Sequence, residues 1–166
     1  MAVDPLPFDP VAEARKNWRH HGWPEPEAMA AVTSITRAHQ ILLARIDAAL
    51  QPFELTFARY EALVLLRFSR QGALPLGVMG RRLQVHPASV TNAIDRLEAA
   101  GLVQRRPHPH DRRARLAELT DLGRHRVDEA TAALGRIRFG ASGLDDESAR
   151  SITAELTEMR RAAGDF

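Results

Sequence analysis

Between His86 and Thr120 the chain passes from a helical apolar pattern to two short extended runs across a single glycine, and this restricts the fold more than any other feature. Val90, Ile94 and Leu97 recur at i, i+4 and i+7 and make one narrow apolar helical face. Ser89, Asn92 and Arg96 fall on the opposite face, with Thr91 beside them. Pro87 suits the first helical turn, where its missing N–H would be unpaired anyway, and Gly101 stops the helix after Glu98-Ala99-Ala100. Beyond it, Leu102-Val103-Gln104-Arg105 and Leu116-Ala117-Glu118-Leu119 flank a proline- and charge-rich tip, Pro107 to Arg115. That pattern predicts two antiparallel strands joined by a long exposed loop.

The remaining chain reads as helices. Asp9-Pro10 is an N-cap and N1 pair that opens a short helix ending near His21-Gly22, an extension over residues 9–22. After Trp23-Pro24-Glu25-Pro26, a helix over 26–50 keeps Met29, Val32, Ile35, His39, Leu42, Leu43, Ile46 and Leu50 near 3.5-residue spacing, a seam expected to be shared between two protomers. Thr56 caps a helix over 57–70, with Tyr60, Leu63, Val64 and Phe68 expected inward, and Leu74 marks a short strand. Residues 76–83 are the supporting helix of a helix-turn-helix and the helix from Pro87 to the stop at Gly101 its reading helix, and a long helix runs from Thr120 to about Arg138 with Leu122, Val127, Leu134 and Ile137 among its apolar positions. Asp145 caps the last helix, to about Ala162. The fold class is therefore mainly α with a small β wing, a winged helix-turn-helix module plus a helical dimerisation region, and the length suits one domain.

The run from Ile94 to Arg106, IDRLEAAGLVQRR, and the run DRRARLAELTDLG from Asp111 to Gly123 together resemble the MarR family of winged helix-turn-helix regulators. The resemblance implies a single domain over 1–166, with dimerisation helices at 26–50 and 120–162 and the winged module at 56–119. It also implies a homodimer that binds a double-stranded, pseudo-palindromic DNA operator and acts as a repressor released by a small aromatic or anionic effector. Ser89, Thr91, Asn92 and Arg96 are then the base-reading residues: asparagine can pair bidentately with adenine and arginine with guanine. Arg112 and Arg113 are the wing residues expected at the minor groove or its phosphates. The other reading of Arg96 is a salt bridge to Glu98 or Asp95.

Trp18 resembles the tryptophan of the urate-responsive branch of that family, whose partner positions read Glu61, Ala93 and Arg105 here. Ala93 stands where the branch has an arginine, so the resemblance implies an anionic aromatic ligand near Trp18, Glu61 and Arg105 rather than urate itself. The alternative is that Trp18 and Trp23 staple the extra helix in place.

Composition narrows the rest. There is no cysteine, which excludes disulfides, thiolate metal sites and thiol-based redox sensing. Eight arginines (81, 82, 96, 105, 106, 112, 113, 115) face three carboxylates (Asp95, Glu98, Asp111) in residues 81–115, a local balance of +5 in a chain of net +2. The remaining chain carries −3, so positive charge collects where phosphate neutralisation would use it. His108-Pro109-His110-Asp111 and His20-His21 do not make the three or four converging ligands a metal needs, and no cofactor is expected. No nucleophile elbow, phosphate-cradling loop or HExxH helix occurs, so catalysis has no constellation. The start lacks a basic-then-apolar leader and no long apolar run occurs, which leads to the expectation of a cytoplasmic protein without a membrane partner. The competing function is a sequence-tolerant architectural DNA-binding protein, which would not need the polar face of residues 89, 91, 92 and 96.

Overall fold

Asp9 accepts the Val11 amide at 2.9 Å and Pro10 fills the first helical position, which opens α1 (Pro10–His20). In the computed structural model, which describes residues 6–109 and 114–166, the chain divides into two compact units, one ending at Ala44 and the other running from Arg45 to Phe166. The first holds α1 and the greater part of α2 (Pro26–Leu50). Within it the Trp18 indole N–H donates to the Pro24 carbonyl at 2.8 Å, and the Trp18 and Trp23 rings meet edge to face, 4.7 Å apart at 84°. Arg15 and Arg19 both pair with Glu27, and the hydrogen bond from Arg19 is the main reason its carboxyl lies below the usual range. This ties the start of α2 back to α1.

The second unit is built on the end of α2, α3 (Phe57–Phe68), β1 (Ala73–Pro75), α4 (Leu76–Leu83), α5 (Pro87–Ala99), β2 (Val103–Pro107), β3 (Arg115–Leu119), α6 (Asp121–Arg136) and α7 (Asp146–Ala162). Thr56, Thr120 and Asp145 cap α3, α6 and α7 by accepting the amides of Arg59, Gly123 and Ser148. The sheet is antiparallel in the order β1-β3-β2, with Ala117 of β3 opposite both Leu74 and Arg105. Alternation on β3 turns Ala117 and Leu119 inward, where they join Leu63 and Leu66 of α3, Met79 of α4, Ile94 and Leu97 of α5 and Leu134 of α6 in one core.

Three expectations need correction. Phe68 is 81% exposed rather than inward. The buried positions of α3 step through Tyr60, Leu63 and Leu66, and a residue two beyond Leu66 lies about 200° around the helix. The seam of α2 is not uniform: Ile46 and Leu50 are buried in the core of their own protomer, while Val32 is 60% exposed. Leu122 is exposed at the start of α6, and that helix ends at Arg136, two residues early, where the chain enters a tight turn, Arg138–Gly140.

The wing is joined to α6 by a set of short contacts that explain the Leu119-Thr120…Gly123 spacing. Thr120 donates its hydroxyl to the Gly101 carbonyl at 2.8 Å and its amide to the Leu102 carbonyl at 3.1 Å, and the same hydroxyl oxygen accepts the Gly123 amide. A Cβ on Gly123 would stand 2.0 Å from the Leu102 carbonyl oxygen, so only glycine fits there. Gly101, at φ +70°, ends α5 in the left-handed conformation that sends the chain into β2.

Candidate nucleic-acid interface

The helix α5 is anchored by its inward side chains, Val90, Ile94 and Leu97, all buried, and capped by His86, whose Nδ1 accepts the Ala88 amide at 3.2 Å. Histidine is not a favoured N-cap, so sequence preference did not identify it. Burying that face leaves Ser89, Thr91, Asn92 and Arg96 exposed. They do not all share one surface. Ser89, Asn92 and Arg96 line one open concavity, whose opposite wall carries Arg59 of α3. Thr91 borders the neighbouring concavity with Arg81 and Gln84, and its hydroxyl donates to the Pro87 carbonyl at 3.1 Å. Arg59 escaped the sequence reading, which followed only the apolar positions of α3. The available signal was an exposed-face arginine three residues after the capping Thr56.

Arg105 explains why Arg96 is available. Its amide and guanidinium donate to the two oxygens of Glu98 at 2.8 and 2.7 Å, and its other guanidinium nitrogen reaches Asp95 at 2.5 Å. Desolvation opposes the charge on Arg105, and the two carboxylates outweigh it, so the guanidinium is held more firmly protonated than usual. The carboxylates proposed as partners for Arg96 are thus both taken by a strand residue, and among the described residues none pairs with Arg96. The outcome is a reading helix fixed to β2 with its own arginine unpaired. Arg106 is similarly spent on Glu118. The exposed arginines of this region without an ion pair among the described residues are Arg81, Arg82, Arg96 and Arg115, while Arg112 and Arg113 lie outside the described residues. At the root of the wing the His108 amide donates to the Ala114 carbonyl at 3.3 Å.

The positions singled out for a ligand are not gathered by the second unit. Glu61 of α3 lines an apolar cavity of about 720 Å³ between α3, α6 and the Arg138–Gly140 turn, and its contact with that apolar wall pushes its carboxyl above the usual range. Arg105 is not among the residues lining it, and Trp18 belongs to the first unit. Among the described residues no three histidine, aspartate or glutamate side chains converge as metal ligands, and no helix is long and apolar enough to cross a membrane.

Residues 55–114, covering most of the winged module, match the model of the MarR family. A search of solved structures finds Sco5413, a MarR family transcriptional regulator from Streptomyces coelicolor, at 53% identity with a TM-score of 0.78, covering 84% of this chain and 96% of that one. The chain belongs to the MarR family. It is a transcriptional regulator built on the DNA-binding winged helix of that family, and its relatives are regulators rather than enzymes. The chain is also 29% identical over 119 residues to YhbI, an HTH-type transcriptional regulator of Bacillus subtilis, with 72% of each chain covered. Sco3205 of Streptomyces coelicolor, a MarR-family regulator solved in complex with DNA, shares the fold at 22% identity and a TM-score of 0.77, over 85% of this chain and 94% of that one.

Proposed function

We propose that this MarR-family chain is a ligand-responsive repressor that binds a pseudo-palindromic operator as a homodimer, one domain per protomer, in the cytoplasm. The observation that carries the DNA reading is the exposed face of Ser89, Asn92 and Arg96, opposed by Arg59 and left unpaired because Arg105 takes Asp95 and Glu98. Such a face suits base edges in a major groove, with Thr91 and Arg81 beside it for the adjoining backbone. Arg112 and Arg113 are proposed to follow the minor groove or its phosphates from the wing. The DNA complex of Sco3205 supports DNA as the partner.

Residues 26–50 and 120–162 serve as the dimerisation helices. Val32, Ile35 and Ile41 on α2 and Ile152 and Met159 on α7 are exposed in a single protomer, as apolar surface awaiting a second copy would be. A two-fold dimer presents two copies of α5 to half-sites roughly 10 bp apart centre to centre. The effector is a small aromatic molecule in the cavity lined by Glu61. The resemblance also assigns Arg105 and Trp18 to the ligand. Their partners support positioning of α5 by Arg105 and stapling of α1 by Trp18, and aromatic acids titrated into the operator complexes of wild type and Trp18→Ala separate the two roles.

The deciding experiment compares the intergenic DNA beside its gene with a random duplex. Arg96→Ala is expected to cost about 1–3 kcal/mol on the operator and nearly nothing on random DNA. Equal loss on both moves Arg96 to the phosphate contacts, and no preference in the wild type favours the architectural reading. Replacing Arg112 and Arg113 by alanine should lower the log–log salt slope by about one unit per lost phosphate contact.

A further inference from the structure

The cavity beside α3 carries a charge of the same sign as the aromatic acids implied by resemblance. Four of its lining side chains are aromatic: Phe57, Tyr60, Phe68 and Phe139. The Phe57 and Tyr60 rings stack, with centroids 6.2 Å apart and planes at 19°. Three lining side chains are charged, and two of these, Arg67 and Asp128, bond one another at 3.2 and 3.5 Å. The Tyr60 hydroxyl is satisfied by Thr131 at 3.0 Å. That leaves Glu61, whose carboxylate has no hydrogen-bond or ion-pair partner among the described residues. A volume of about 720 Å³ falls within the range of sites that enclose drug-sized ligands.

We propose that this cavity binds a lipophilic aromatic cation, with its charge against Glu61 and its apolar body among Phe57, Tyr60, Phe68 and Phe139. Three physical terms point the same way. Aromatic rings attract cations through their quadrupoles, and most strongly where water is displaced. Glu61 is solvent-exposed at the edge of this apolar wall, where a counter-charge stabilises its carboxylate, consistent with partial desolvation raising the carboxyl above its usual range. An aromatic acid would meet Glu61 with like charge, and the cavity's one cation, Arg67, is committed to Asp128. The inference rests on the ligand-responsive reading above and names the ligand class of the same cavity.

The test uses two ions of the same size and shape and opposite charge, tetraphenylphosphonium and tetraphenylborate, titrated calorimetrically into the full chain. Wild type is expected to bind the phosphonium about tenfold or more tightly than the borate. Glu61→Gln, which keeps the shape and removes the charge, should abolish that preference. Phe139→Leu should weaken the phosphonium while leaving a smaller preference. Equal affinities, preference for the borate, an unchanged preference in Glu61→Gln, or binding of neither ion because a second copy fills the cavity, each overturns the proposal. Operator binding measured on the same samples without either ion keeps the two readings apart: its absence defeats the regulator reading, whereas operator binding without a cation preference defeats only the ligand class.

Discussion

Replacing Gly123 with alanine sets two effects of opposite sign against each other. Inside an open helix the change stabilises by about 1 kcal/mol, because alanine loses less backbone freedom on folding. At this position the new Cβ would lie 2.0 Å from the Leu102 carbonyl oxygen, 3.0 Å from its carbonyl carbon and 3.1 Å from Leu119 Cδ2. Two of these three atoms are backbone, so no rotamer change relieves the overlap. Reaching the ordinary contact distance of 3.4 Å requires α6 and the root of the wing to separate by about 1.4 Å. The Leu102 carbonyl also accepts the Thr120 amide at 3.1 Å, so separation stretches that bond and the neighbouring one from the Thr120 hydroxyl to Gly101. Overpacking costs about 1–3 kcal/mol and a weakened hydrogen bond about 1 kcal/mol. After the propensity gain, a net loss of about 1–3 kcal/mol remains. Urea unfolding followed by circular dichroism, at one fixed protein concentration because a dimer is proposed, measures it. Gly77→Ala in α4 is the comparison, since the nearest atom there is the flexible end of Arg81 at 3.9 Å, and it should be neutral or stabilising by up to about 1 kcal/mol. A Gly123→Ala protein as stable as wild type, or more so, would refute the close approach.

Arg105→Met removes the tie between β2 and α5 and leaves Asp95 and Glu98 unneutralised; stability should fall by about 1 kcal/mol in urea, and operator affinity should fall as α5 loses its anchor to β2. Retention of full operator affinity would show that α5 holds its position without it. The folded state keeps the Glu61 proton to higher pH than the unfolded chain does, so its contribution to stability declines as pH rises from the ordinary glutamate value of 4.5 toward the raised folded one. Glu61→Gln is therefore expected to be more stable than wild type at pH 7, with the gap closing below pH 4.5, as read from unfolding midpoints across pH. Val32→Asp should yield a folded monomer by light scattering, whereas Ile46→Asp should unfold the chain, because Ile46 is 7% exposed within its own protomer and Val32 is not enclosed.

Local chemistry carried most of the architecture. Asp9, Thr56, Thr120 and Asp145 announce helix starts because a side-chain oxygen satisfies an amide within three residues, and Gly101 announces a helix end because its backbone must turn left-handed. Periodicity was enough to sort Val90, Ile94 and Leu97 from the polar face of α5, since both sets lie on one helix. What depends on distant segments was not legible. The freedom of Arg96 depends on an arginine nine residues later returning on β2 to take Asp95 and Glu98, and the joining of Arg59 to that face depends on how α3 packs against α5. An eleven-residue step along α2 keeps one helical face yet passes from the exposed Ile35 to the core-buried Ile46, because only the end of the helix joins the core of the second unit. The sequence by itself determined which residues could form each helix, strand and cap, since those choices involve neighbours a few residues apart. Only the tertiary structure decided which charges cancel, which remain open to a partner and where an apolar cavity keeps one carboxylate unpaired, because each of those outcomes rests on side chains brought together from separate elements.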